Sequence, residues 1–115
     1  MNKQLKDEDR LRHMLDAARE AVQFIQGKQR SDLDLDHKLA LAIVRLLEII
    51  GEAADNVSGD FCEQHPGIPW RKIAGTRNRL AHGYSDVDLD IVWQIITTQL
   101  PPLIAQLEQL VSTKG

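Results

Sequence analysis

Aromatic residues are scarce in this chain: two tryptophans, two phenylalanines and one tyrosine among 115 residues. Aliphatic side chains must therefore build whatever core it has. A single cysteine, Cys62, excludes an internal disulfide and suits a reducing cytoplasm. No motif frames Cys62 as a nucleophile. No apolar run is long enough to span a bilayer, so no membrane association is expected. The stretch from Met1 to Arg12 is too charged and polar for a signal peptide. A Gly-rich phosphate loop, strand-like alternation, repeats and low-complexity tracts are all missing. The four histidines, His13, His37, His65 and His82, lack ligand spacing with carboxylates or thiols, so no metal and no other cofactor is implied.

What is present is an ordinary globular composition, 43% apolar and 27% charged, enough for one domain over residues 1–115. The apolar residues recur at helical spacing. Leu11, Met14, Leu15, Ala18, Val22 and Ile25 mark a first helix from about Asp7 to Gly27, which ends it. A second opens at Ser31, with Asp34 as a weak capping box, and continues through Leu39, Ile43, Leu46, Ile50, Ala53 and Val57. It is apolar on most sides between Leu39 and Ile50, which makes it the expected central helix. Its polar residues Arg45, Glu48, Glu52 and Asp55 fall on one stripe. That stripe is either a solvated edge or a source of auxiliary carboxylates, Glu48 or Glu52, for a neighbouring cleft. Gly59, Pro66 and Gly67 mark 58–68 as a connector.

A third helix of about 14 residues is expected between Pro69, preset for a first turn, and Gly83, a helix stopper. A fourth runs from near Asp86 towards Val111, with a kink or short break at Pro101-Pro102. The fold class is all-α: an antiparallel bundle of four long helices plus short pieces.

The formal net charge is −3, which by itself does not favour nucleic acid. Charge is local, however. Arg71, Lys72, Arg77 and Arg79 place four cations in nine residues with no acid between them. The acids gather in 7–9, 32–36 and 86–90. An acidic chain with one basic ridge results, and Arg71, Lys72 and Arg79 are the candidate RNA contacts around the motif.

That ridge runs into the octet Arg77-Asn78-Arg79-Leu80-Ala81-His82-Gly83-Tyr84. On a continuous helix Arg77 falls within the apolar stripe of Trp70, Ile73, Ala74, Leu80, Ala81 and Tyr84. Arg71, Gly75, Asn78 and His82 form a second stripe, and Asn78 and His82 are surface neighbours. Gly75 leaves a gap where another helix or a ligand can come close. Singly, each residue has a plain structural reading: a snorkelling arginine, a histidine at a helix end, a tyrosine lid. Together they put a permanent cation, an amide, an imidazole and a phenol within two turns.

Arg77, His82 and Tyr84 match the R-x4-H-x-Y signature, and here the chain resembles the HEPN-domain ribonucleases, more narrowly the HepT toxins. The likeness extends to Asp9 to Leu15, Leu47 to Ala54, His65 to Gly75 and Val87 to Trp93, in the expected order. One departure is visible: Ser85-Asp86 stands where the family often has Phe-Gly.

The resemblance implies a homodimer with the two motif helices near each other, and a minimal nucleotidyltransferase antitoxin as partner. It implies RNA as substrate and Tyr84 as the acceptor of AMP groups from that partner. RNA supplies its own nucleophile, so the site needs an acid–base group and a cation. His82 is the acid–base candidate. Arg77 never loses its proton and is expected to hold the phosphoryl oxygens, with Asn78 orienting His82 or the phosphate. One histidine per chain leaves a proton-transfer role unfilled, which a composite cleft between two chains would supply. The competing reading is a non-catalytic helical module that holds a nucleotide or seats a partner.

Overall fold

The expected periodicity is realised as helices packed on one aliphatic core. The computed structural model describes residues 3–80 and 87–111, with the backbone alone for 3–6 and 77. Its helices are α1 (Lys3–Phe24), α2 (Asp32–Leu35), α3 (His37–Asp55), α4 (Gly59–Gln64), α5 (Trp70–Ala74), α6 (Thr76–Leu80), α7 (Leu89–Gln94), a π-helical turn (Ile95–Gln99) and α8 (Leu100–Val111). No strand occurs among the described residues, and none of their helices is long and apolar enough to cross a membrane.

The central helix is α3, as its apolar sequence implies. Ile43, Leu46, Leu47, Ile50, Ala53 and Ala54 are buried in one cluster with Met14 and Ala18 of α1, Ile73 of α5, Ile96 of the π turn and Leu107 of α8. Burying each large aliphatic side chain contributes roughly 1.5–3 kcal/mol, so the core needs no aromatic centre. Gly27 ends the first helical run with φ +75°, a conformation open to glycine.

Four boundaries differ from expectation. Ser31 does not open the central helix: its backbone is already helical (φ −64°, ψ −22°) and its side chain makes no cap. Asp36 is the cap instead. It is extended, and its carboxylate accepts from the N–H of Leu39 at 3.1 Å, which cuts off α2 as a separate turn. The connector 58–68 contains α4. Ser58 accepts from the N–H of Phe61 at 3.2 Å, and Asp7 of α1 accepts from the N–H and hydroxyl of Ser58 at 2.8 and 2.7 Å. Bonds to a charged acceptor contribute roughly 1.5–3 kcal/mol, so this buried carboxylate ties α1 to the start of α4.

The third difference is at Gly75, where the motif helix bends between α5 and α6. Its ψ is 5°, about 45° from the helical value. The angular stripes drawn along one straight helix therefore do not carry across Gly75. The fourth is at Pro101-Pro102, where no break occurs. Prolines at 101 and 102 lack the N–H groups that would serve the carbonyls of Thr97 and Thr98, and their rings crowd those carbonyls. The chain widens one turn earlier: the N–H of Leu100 donates to the carbonyl of Ile95, five residues back. The hydroxyls of Thr97 and Thr98 donate to the carbonyls of Trp93 and Gln94 at 2.8 and 2.6 Å. The π turn absorbs the proline pair, and the helix continues to Val111.

Candidate active site

The helices α5 and α6 are short, and tertiary contacts hold them in place. Trp70 is buried at the start of α5, and its indole N–H donates to the carbonyl of His65 at 2.9 Å. The ring of His65 packs on Phe61 at 4.3 Å, so this histidine serves the turn before α5. Ile73 and Leu80 are buried with it, as their stripe implies. Thr76 is also buried, 5% exposed, between them and α3. Its spacing of three from Ile73 was the available signal, and its hydroxyl hides it from an apolar count.

Within one chain, the close approach between helices is at Gly51. A Cβ on Gly51 would lie 3.1 Å from the carbonyl oxygen of Ile73, 3.6 Å from that of Ala74 and 3.8 Å from the Cβ of Thr76. A Cβ on Gly75 would meet the carbonyls of Arg71 and Lys72 in its own turn, at 3.3 and 3.8 Å. Gly75 sits at the bend with an ordinary negative φ of −83°, whereas Gly51 lets α3 support the α5–α6 junction directly. This seating fixes where α6 begins, and with it the backbone of Arg77.

The basic ridge is partly as expected. Arg71 and Lys72 are exposed on α5, and neither makes an ion pair among the described residues. Asn78 is exposed on α6. Arg79 is half-buried and leans on the last helix, its guanidinium donating to Gln99 at 3.5 Å. Lys72 and Thr76 also border a cavity of about 310 Å³ between α3, α5 and the π turn, with Leu47, Ile50, Ile95 and Leu103 in its wall.

Glu48 and Glu52 lie on the outer face of α3. Glu48 is 3.4 Å from Arg45, and Glu52 borders a groove of about 300 Å³ with Arg10 and His13 of α1, Ile49, Ala53 and Asn56. No residue of α5 or α6 borders that groove. The Nε–H of Arg10 is buried without an acceptor among the described residues. Cys62 is half-buried, and burial, assisted by the charge of Asp7, pushes its thiol up from the ordinary range. A raised thiol is a poor nucleophile near neutral pH, in keeping with the absence of a motif around it.

The side chain of Arg77, together with His82, Gly83 and Tyr84, lies outside the described residues. What the structure shows is how the flanks meet. The N–H of Asp88 donates to the carbonyl of Leu80 at 2.8 Å, joining the end of α6 to the approach of α7. Asp88 also caps α7, accepting from the N–H groups of Asp90 and Ile91 at 3.0 and 3.2 Å. Arg30 braces the same corner, 2.7 Å from Asp90 and 3.1 Å from Asp34.

A family model described as "Ribonuclease HepT-like" matches residues 14–110. A protein of Thermococcus cleftensis named "Probable ribonuclease HepT" is 39% identical over 95 residues, covering 79% of this chain and 86% of its own. A Caldanaerobacter subterraneus protein named as a candidate RNase is 37% identical over 100 residues, covering 87% and 89% of the two chains. Another candidate RNase, from Methanocaldococcus jannaschii, is 31% identical over 95 residues, covering 83% and 87%. No solved structure gives a significant match.

Proposed function

The chain belongs to the ribonuclease HepT-like family, and from that premise we propose that it is a metal-independent endoribonuclease toxin acting at a cleft shared by two copies. The observation that carries this reading is the spacing of Arg77, His82 and Tyr84 in a chain whose match to the family spans 14–110. Exposed Asn78, and Arg71 and Lys72 without acidic partners among the described residues, support it by offering a positively charged edge for a phosphodiester backbone.

In the proposed reaction the ribose 2′ oxygen attacks the adjacent phosphorus. The bond from phosphorus to the 5′ oxygen breaks, leaving a 2′,3′-cyclic phosphate and a 5′-hydroxyl. His82 of one copy takes the 2′ proton, and His82 of the second gives a proton to the departing oxygen. Arg77 donates two parallel hydrogen bonds to the phosphoryl oxygens as their charge grows. Asn78 orients the imidazole or the phosphate. RNA incubated with the protein in EDTA should yield cyclic phosphate ends by mass spectrometry. Products with 5′-phosphate ends, or activity lost to the chelator, would remove the metal-independent scheme.

A nucleotidyltransferase antitoxin controls the enzyme in this reading. The Tyr84 oxygen attacks the α-phosphorus of ATP on that partner, pyrophosphate leaves, and AMP remains on the tyrosine. Each unit adds bulk and negative charge beside a cationic cleft, which excludes RNA without refolding. Intact-mass measurement after co-expression should show AMP units that disappear in Tyr84→Phe. An adduct that persists in that variant would contradict the assignment.

A further inference from the structure

The cavity of about 310 Å³ between α3, α5 and the π turn touches the motif without being part of it. Its walls are mostly aliphatic, with Leu47 and Ile50 from α3, Ile73 from α5, Ile95 and Leu103. The π turn also brings Gln99 to it, and turns of this kind recur at functional sites. One polar wall group is Thr76, only 5% exposed, whose hydroxyl has no hydrogen-bond partner among the described residues. A buried hydroxyl left unpaired is uncommon and calls for a partner from outside the chain.

Two half-buried amides also border the cavity, and both are already oriented. The Nε2 of Gln106 donates to the carbonyl of Gly67 at 2.8 Å, which leaves its Oε1 to accept. The Oε1 of Gln99 accepts from the guanidinium of Arg79 at 3.5 Å, which leaves its amide N–H groups to donate. Neither remaining group has a partner among the described residues. A purely apolar ligand would leave both unsatisfied, and a bare anion would meet aliphatic walls and the Oε1 of Gln106. A flat heterocycle whose edge carries a donor beside an acceptor satisfies walls and amides together. The pairing edge of every RNA base has that form, and proteins read unstacked RNA bases on such edges. The volume lies at the small end of ligand sites, room for one base rather than several.

The cavity is also placed for RNA. Exposed Lys72 borders it from α5, where an ammonium can hold the phosphate of a nucleotide whose base lies inside. Thr76 is followed directly by Arg77 in the chain. We propose that this cavity is a nucleobase subsite, which takes one unstacked base of single-stranded RNA. Gln99 donates to the edge of the base, Gln106 accepts from it, Thr76 pairs with a further polar atom, and Lys72 holds the adjoining phosphate. Gln99 and Gln106 thereby select which phosphodiester reaches the motif. That selection rests on the ribonuclease reading above; binding of a base in the cavity does not.

The test uses the full chain with its isoleucine and leucine methyl groups labelled for NMR. The probes are the four 2′-deoxynucleoside 3′-monophosphates, which have no 2′ nucleophile. A single base binds weakly, so the titration runs into the millimolar range. Methyl signals of Ile50, Ile73, Ile95 and Leu103 should shift with at least one probe, while those of Leu11 and Leu33, which do not border the cavity, stay in place. Gln99→Leu and Gln106→Leu keep the size of the side chain and remove the polar edge. Each should weaken the best-bound probe about tenfold and level the preference among the four. Ile50→Phe fills the cavity and should abolish the response. Circular dichroism checks the fold, and the half-exposed glutamines keep the test decisive should Ile50→Phe fold poorly. Silent methyls with all four probes, unchanged affinity in both glutamine variants, or an equal response to indole overturns the proposal. Cleavage of a random-sequence RNA is a separate readout, in which the parent's base preference beside the cut should fall about tenfold in the glutamine variants. Methyl shifts in a protein that cuts no RNA leave the base site standing and remove the ribonuclease reading. Cleavage by a protein with silent methyls does the reverse.

Discussion

RNA cleavage by His82→Ala should fall by about a hundredfold to ten-thousandfold, the usual contribution of positioned proton transfer. The imidazole is the motif's one group that titrates near neutrality. Arginine stays charged, and the amide of Asn78 neither gains nor loses a proton at working pH. If two copies of His82 divide the roles of base and acid, one substitution removes both from the symmetric dimer, so the loss should sit at the upper end of that range. Circular dichroism and sedimentation should show the helicity and association state of the parent. Initial rates on a defined RNA, with cyclic phosphate ends counted, measure the effect. A rate within tenfold of the parent, from an equally folded protein, would leave the chain as a binding module. Adding one inactive His82→Ala subunit per dimer gives a further expectation. Mixed dimers retain one imidazole, so their residual rate reports whether the two roles can be filled from one side.

Gly51→Leu produces the largest structural loss expected from a single added side chain. Its Cβ begins 3.1 Å from the carbonyl oxygen of Ile73, and three further carbons must fit behind it. That oxygen belongs to backbone and cannot rotate away. Overpacking of this kind costs about 1–3 kcal/mol, and the rigid neighbour places this case at or above 3 kcal/mol. Urea denaturation should show the drop in midpoint. The displaced group is the α5–α6 junction, so RNA cleavage should fall as well, even in the folded fraction. Gly75→Ala is the informative comparison. Its Cβ meets only carbonyls of its own turn, the nearer at 3.3 Å, so alanine there should change stability by less than about 1 kcal/mol. Equal stability of Gly51→Leu and the parent would contradict the seating of α6 described above.

The contrast between the two glycines shows where sequence reading reached its limit. A glycine inside an apolar helix signals a close approach, and the chain contains two candidates. Gly75 drew attention because it lies beside the octet. Gly51 lies in the central helix, where its neighbours were unknown until α5 and α6 were in place. Pro101-Pro102 illustrates a second limit. Ring and missing donor demand a local adjustment, and the adjustment is cheaper one turn upstream, where Thr97 and Thr98 can bond the displaced carbonyls. Ser31 illustrates a third. Serine and aspartate both cap helices, and Asp36 prevailed because its backbone is extended where Ser31's is helical.

Periodicity alone determined that this protein is helical and that α3 is central, because these follow from each residue's angle about its own helix axis, and glycine's access to positive φ determined that Gly27 ends the first helix. Residue order alone also determined the Arg77, His82 and Tyr84 spacing, on which the proposed chemistry rests. Only the tertiary structure decided which glycine bears a neighbouring backbone, that the motif helix bends at Gly75, that Arg79 turns to Gln99 and that the charged face of α3 is left uncovered. The physical reason is that an angle about one axis says which way a side chain points, whereas what it meets depends on where every other helix lies.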